Sequence, residues 1–342
     1  MRYPWVNTLL LVLVPVALVT GYLGLTNGHA SRAWILWLHA IVAYGIVAVS
    51  VWKVAVIRRS IARKPMAPPS RGVFLLMGYV TAFIVVSGVL WAWVGRMDFN
   101  GTSLMTLHGA AAAVLVVLFA WHVIESRAIF RVRRARDRRA FLRLAVVGTA
   151  GVVIWQGGLL TQRLLHLPGA DRRFTGSFET GSYTGQFPTV SWLFDHPEPV
   201  DRDSWRLRID GHVANAREFG YGELAALPST SQTAVIDCTS GWYSHQDWSG
   251  VSLMEVAGAA GVREGAESVT VTGVTGYSRR FSMDEARTAL LALRVHGETL
   301  EHEHGYPLRL VVPDHRGFDW VKWVTGITVN EHGDEWQAPL PY

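Results

Sequence analysis

Five stretches of nearly unbroken apolar residues fill the first half of the chain, at 5–25, 33–57, 73–94, 104–124 and 144–160. Each is close to the ~20 residues that cross hydrocarbon as a helix, so five spans are expected. The first lacks a small-residue cleavage site and is followed by further spans, which argues against a cleaved leader. After residue 187 the pattern changes. Short strand-like runs at 205–209, 233–236, 268–272, 308–312 and 326–329 alternate with turn residues. Helical patterns fall at 222–227, 253–260 and 283–293. This predicts an all-α membrane bundle (domain 1–162), a linker (163–186) and an α+β domain (187–342). The linker is rich in Gly, Ser and Thr but includes Phe174, Phe178 and Tyr183. A free tether is more polar, so part of this segment is expected to lie over the domain that follows.

Composition sharpens the division. The 342 residues are 50% hydrophobic and 17% charged, with a net charge of +5 and a single cysteine. A disordered chain is excluded, as is a disulfide-stapled one. Residues 1–165 carry 18 Lys/Arg against 3 Asp/Glu, and the remainder carries 14 against 24. A basic, apolar half joined to an acidic half suits a lipid bilayer and a soluble domain; it does not suit nucleic acid. The loop at 58–72 holds Arg58, Arg59, Arg63, Lys64 and Arg71, and the loop at 125–143 holds eight arginines. Basic loops stay inside. The amino terminus is therefore expected in the cytoplasm, and the second domain on the outer, periplasmic side of the cell membrane.

The second basic loop ends in Asp137-Arg138-Arg139-Ala140-Phe141-Leu142-Arg143. This resembles the twin-arginine export signal, with Asp137 and Arg143 as departures. The resemblance implies export of a domain already folded around a cofactor.

Spans one to four contain a repeat. Leu38-His39 and Trp52-Lys53-Val54 recur 69 residues later as Leu107-His108 and Trp121-His122-Val123, and Gly21 and Gly88 lie 67 apart. Two like hairpins imply a four-helix pseudo-repeat, with the fifth span outside it. His39 and His108 then lie at one depth on parallel helices, the arrangement a six-coordinate haem needs. His122 follows His108 by 14 residues, about 21 Å of helix and nearly four turns. Such paired histidines resemble the membrane b-type cytochromes with two stacked haems. The matching position in the first hairpin is Lys53, so one outer haem b is expected, with His122 as a possible further ligand. Interhelical hydrogen bonding is the alternative role for these histidines.

The lone cysteine lies in Asp237-Cys238-Thr239-Ser240-Gly241-Trp242, after an apolar strand and at the start of a loop rich in Gly, Ser and aromatics. A single thiol in an exported domain invites oxidation unless it is occupied, and a thiolate suits a soft metal. No partner Cys or His stands at zinc-ligand spacing. The metal's other ligands would then belong to a cofactor.

Cys238-Thr-Ser-Gly-Trp242, followed by Trp248-Ser-Gly-Val251, resembles the molybdenum loop of the sulfite oxidase family. Further segments follow in the family's order: 205–211, Gly276-Tyr277, Gly305-Tyr-Pro-Leu-Arg309 and Gly317-Phe-Asp-Trp-Val-Lys322-Trp323. The shorter bacterial branch, which includes periplasmic methionine sulfoxide reductase, matches best. Pro313-Asp314-His315-Arg316-Gly317 departs from the family's plainer Pro-Gly-x-x-Gly form. The resemblance implies a molybdenum–molybdopterin cofactor with Cys238 as metal ligand. Lys322 and Arg309 are implied at the pterin phosphate, and Tyr277 near the metal as a donor to substrate oxygen. His245 and His315 are candidate pocket residues; Arg316, Trp323 and Trp242 are candidate cofactor contacts.

The two halves together suggest an oxidoreductase that exchanges an oxygen atom with a small oxo-type substrate, sulfoxide reduction being favoured. Haem b would couple it to a quinone or a membrane redox partner. A haem-free anchor carrying the same enzyme and a non-enzymatic surface module are the alternatives.

Overall fold

The computed structural model describes residues 4–63, 68–125, 138–191, 195–333 and 337. The chain divides into two compact units, residues 1–178 and 179–342.

In the first unit the apolar stretches form helices α1 (Pro4–Thr26), α2 (Trp34–Arg63), α3 (Pro68–Val94), α4 (Leu104–Glu125) and α5 (Arg138–Leu164). Each contains a segment long and apolar enough to cross a membrane, with few of its residues buried inside the protein. Side chains such as Val51, Tyr79 and Ile124 are more than two-thirds exposed, as expected of surfaces facing hydrocarbon rather than a core. Helices α1 and α2 pack as one hairpin, α3 and α4 as another, and α5 packs on α2. Most of the arginine-rich loop, and Asp137 of the twin-arginine-like motif, lie outside the described residues; Arg138 and Arg139 open α5.

The segment expected to be a linker is ordered at both ends. In the first unit Trp91 Nε1 donates to Gly176 O at 2.8 Å. In the second, residues 180–185 run along the strand 242–252: Thr180 N donates to Tyr243 O, Tyr183 N to His245 O, and Gln246 Nε2 to Gly181 O.

The second unit is α+β. One sheet contains β3 (Thr230–Cys238), β4 (Trp242–Ser252), β7 (Leu290–Val295), β8 (Glu298–Thr299) and β9 (Arg309–Val311); β3 pairs with β4, β4 with β7, and β7 with both β8 and β9. The other has the order β2 (Arg217–Gly220), β1 (Arg206–Gly211), β10 (Val324–Asn330), β5 (Ser268–Gly273), β6 (Ser278–Ser282). Within it β10 and β1 are parallel and the other pairs antiparallel. Short helices α6 (Tyr221–Ala225), α7 (Leu253–Gly258) and α8 (Met283–Thr288) connect strands.

Two expectations are corrected. The helical pattern at 283–293 ends at Thr288, and Leu290–Val295 is a strand. Leu291 and Leu293 face the larger core, while Leu290, Ala292 and Val295 face the second, so the run is apolar on both sides. Such a run cannot be told from a helix by periodicity. The expected loop after Gly241 is the 11-residue strand β4. Its inward face includes Ser244 and Gln246, fully buried but hydrogen-bonded to each other at 2.8 Å, and these hid the alternation. A Cβ on Gly250 of β4 would fall 2.0 Å from Leu291 O, so only glycine allows β4 and β7 to approach this closely.

Candidate functional site

A hairpin shapes the strand end that carries Cys238. β3 and β4 pair from Thr230 opposite Gly250 to Cys238 opposite Trp242, and Thr239, Ser240 and Gly241 close the turn. Gly241 adopts φ 93°, the left-handed geometry a three-residue hairpin asks of glycine, and its N–H donates to Cys238 O at 3.0 Å. Cys238 thereby reaches a cleft of about 640 Å³, part of it open to solvent. Trp242, Tyr277, Arg309, Trp320 and Lys322 also line it. Burial pushes the Cys238 thiol up, opposed by the Ser240 hydroxyl, which donates to Sγ at 3.1 Å, and by the charge of Arg316.

Two cations share this cleft. Arg309 starts β9 with its guanidinium against the Trp248 and Trp320 rings, 5.6 and 5.9 Å from their centroids, and donates to His304 O at 2.7 Å. Burial lowers its pKa to about 10. Lys322 donates to Ser191 Oγ at 2.7 Å and lies 4.1 Å from the centroid of Trp323. Burial, with the charge of Arg309 adding, lowers it to about 8. Gly305, at φ 107°, keeps the backbone clear of both: a Cβ there would come within 3.1 Å of Lys322 Cβ and 3.3 Å of Arg309 Cβ.

The structure brings Cys238, Trp242, Tyr277, Arg309 and Lys322 together and places the remaining candidates elsewhere. The Tyr277 hydroxyl donates to Phe318 O, and burial raises its pKa. Trp323 supports Lys322 from outside the lining and donates to His302 O. His245 points from the opposite face of β4 to Trp242 and stacks on Tyr183, ring centroids 5.8 Å apart. His315 sits between Asp319 (3.3 Å) and Glu285 (3.1 Å). Arg316 is bound to Asp237 and to Cys238 O. Asp195, Ser191 and Trp320 also line the cleft. No motif marks Ser191 or Asp195, whereas Trp320 sits inside the 317–323 motif.

In the first unit His39 and His108 face each other, ring centroids 6.5 Å apart and planes at 79°. His39 Nδ1 lies 2.9 Å from Ala17 O and 3.3 Å from Thr20 Oγ1; His108 Nδ1 lies 3.0 Å from Ser87 Oγ. A Cβ on Gly21 would come 3.0 Å from His39 Cε1, and one on Gly88 3.2 Å from His108 Cε1. His122 lies against Phe74, and Lys53 donates to Asn7 Oδ1 at 2.8 Å.

Comparison with known proteins bears on the domain that holds this cleft. The family profile described as "Oxidoreductase molybdopterin binding domain" matches residues 194–337. The uncharacterized oxidoreductase YuiH of Bacillus subtilis is 32% identical over 159 residues, covering 45% of this chain and 80% of YuiH. The chain belongs to the oxidoreductase molybdopterin-binding family. A putative protein-methionine-sulfoxide reductase subunit, YedZ1 of Azospira oryzae, is 28% identical over 147 residues, 42% of this chain and 56% of YedZ1. Among solved structures, the sulfane dehydrogenase SoxCD of Paracoccus pantotrophus is similar, at 29% identity, 40% coverage of each chain and a TM-score of 0.38.

The cleft residues fit a molybdopterin. Arg309 Nε, Trp242 Nε1 and Trp320 Nε1 are buried donors without a protein partner, and buried donors are normally satisfied. A pterin rich in nitrogen and oxygen supplies acceptors, and Arg309 and Lys322 suit its phosphate. Among the described residues no three His, Cys, Asp or Glu side chains converge to hold a metal ion. Cys238, the single cysteine of the chain, lines this cleft of the molybdopterin-binding domain.

Proposed function

We propose that the protein is a membrane-bound molybdenum oxidoreductase that reduces a small sulfoxide-type substrate on the outer face, drawing electrons through haem b from a quinol or a membrane redox partner. The observation that carries this reading is the solitary Cys238 thiol lining one cleft with Arg309 and Lys322. The similarity to YedZ1, a putative protein-methionine-sulfoxide reductase subunit, supports the direction, and the basic loops support the sidedness.

When bound, the molybdenum–pterin group supplies two-electron oxygen exchange; the net reaction is sulfoxide plus two electrons and two protons giving sulfide and water. The chain supplies placement. Cys238 holds the metal, while Arg309 and Lys322 hold the phosphate. Burial keeps Tyr277 protonated, and its hydroxyl would donate to a substrate oxygen at the cleft wall by exchanging its bond to Phe318 O. Ile236, Phe187 and Trp242 add apolar surface to the cleft lining.

The haem assignment rests on His39 and His108. The 6.5 Å separation of the two ring centroids would leave room for an iron held between the imidazoles. The Nδ1 contacts leave Nε2 for the iron, and such outer partners orient a ligating ring. Gly21 and Gly88 let each ring lie closely against the neighbouring helix. Lys53 is engaged with Asn7, which supports one haem rather than two.

The test is redox spectroscopy of the intact protein in detergent. Dithionite should give a reduced b-type Soret band, and a sulfoxide should reoxidise it with molybdenum present in the protein. No Soret band would leave the enzyme on a haem-free anchor. No molybdenum would end the reading.

A further inference from the structure

Residues 313–317 depart from the family's plainer form at Asp314, and Arg316 in the same stretch reaches the metal loop. The Arg316 side chain is 3% exposed, and its partner Asp237 is 1% exposed. Nη1 donates to Asp237 Oδ1 at 2.8 Å, and Nη2 to Cys238 O at 3.2 Å. One rigid guanidinium thus grips two consecutive residues, the second of which carries the thiol. From the other side of the turn Gly241 N–H donates to the same Cys238 carbonyl. Gly317, next to Arg316, lies so close that a Cβ there would stand 3.4 Å from Cys238 Cα. Arg316 itself does not line the cleft.

We propose that Arg316 is a positioning residue: it fixes the peptide of Cys238, and through it the direction in which the thiolate meets the metal. The proposal rests on Cys238 being the molybdenum ligand. Asp237 neutralises the guanidinium, so the pair delivers orientation more than net charge. The planar fork is essential, since a lysine pairs with Asp237 as a point charge but does not hold the carbonyl as well.

The experiment compares full-length wild type with two variants. Arg316→Lys keeps the ion pair and loses the fork. Asp237→Asn with Arg316→Met removes both charges, so no buried ion is stranded. Three readouts are taken: thermal melting, the EPR signal and thiolate-to-metal absorption of the molybdenum centre, and the alkylation rate of Cys238, the sole thiol of the chain. Both variants should melt near wild type yet show shifted EPR and absorption, with Cys238 alkylation changed about tenfold. Wild-type signatures and alkylation in either folded variant would overturn the proposal. So would a lowered melting point accompanied by unchanged signatures, which marks a strut alone. If wild type contains no molybdenum but alkylation still changes in the variants, the metal reading fails and the hold on Cys238 stands.

Discussion

Cys238 and Trp242 face each other as the last register pair of the β3–β4 hairpin, and Ser240 in the turn between them donates to the cysteine sulfur. Backbone pairing and contacts to the Cys238 peptide, not its sulfur, set this geometry, so Cys238→Ser should preserve the fold and remove the soft ligand. Molybdenum per protein, measured by mass spectrometry, should fall to less than a tenth of wild type. Equal metal in the two proteins would remove Cys238 as ligand.

The imidazoles of His39 and His108 should be individually indispensable for haem. His39→Ala or His108→Ala should abolish the reducible Soret band, because one imidazole is then left without its counterpart. Gly21→Leu should do the same by crowding, since even a Cβ there reaches within 3.0 Å of His39 Cε1. An unchanged spectrum in these variants would assign the pair a structural role.

The charged cluster behind the cleft wall predicts a pH limit. Burial works against protonation of His315, but hydrogen bonds and charges from Asp319 and Glu285 prevail and raise it from 6.5 to about 9. A group raised on folding stabilises fully below its unfolded pKa, and that gain is lost as pH climbs from about 6.5 through 9. Glu285, lowered to about 2 chiefly by the His315 hydrogen bond, contributes above about 4.5 and fades as pH falls through 2. The melting temperature of the second unit should therefore drop between pH 7 and 10, and His315→Gln should flatten that slope.

Packing around β7 predicts a fourth outcome. Leu291 is fully buried in the larger core while its neighbour Leu290 belongs to the other. Leu291→Ala should cost about 2–5 kcal/mol in denaturant unfolding. Gly250→Ala should be at least as damaging, because its new methyl has nowhere to go but into Leu291 O.

The five long apolar helices and the facing of His39 and His108 were legible because apolar run length and repeat offsets stand directly in the sequence. Cys238, Arg309 and Lys322 were legible as motif positions at strand ends. What escaped notice depends on partners distant in sequence. Arg316, read as an anion contact for the cofactor, is taken by Asp237, 79 residues away, and no spacing rule signals that pairing. Strand β4 hid behind Ser244 and Gln246, buried polar residues satisfied by tertiary bonds. β7 hid behind apolarity on both faces. Ser191 enters the site only through its bond to Lys322, in a stretch with no pattern of its own.

The parallel partnership of β1 with β10 has a consequence for biogenesis. On one side residues 208–211 pair with residues 326–329, 118 positions further along the chain. The second sheet therefore closes only once that distant strand has been made, and a nascent chain stopped near residue 320 would expose an unmatched ribbon. Any loading of the cleft that requires a finished wall must wait for that closure.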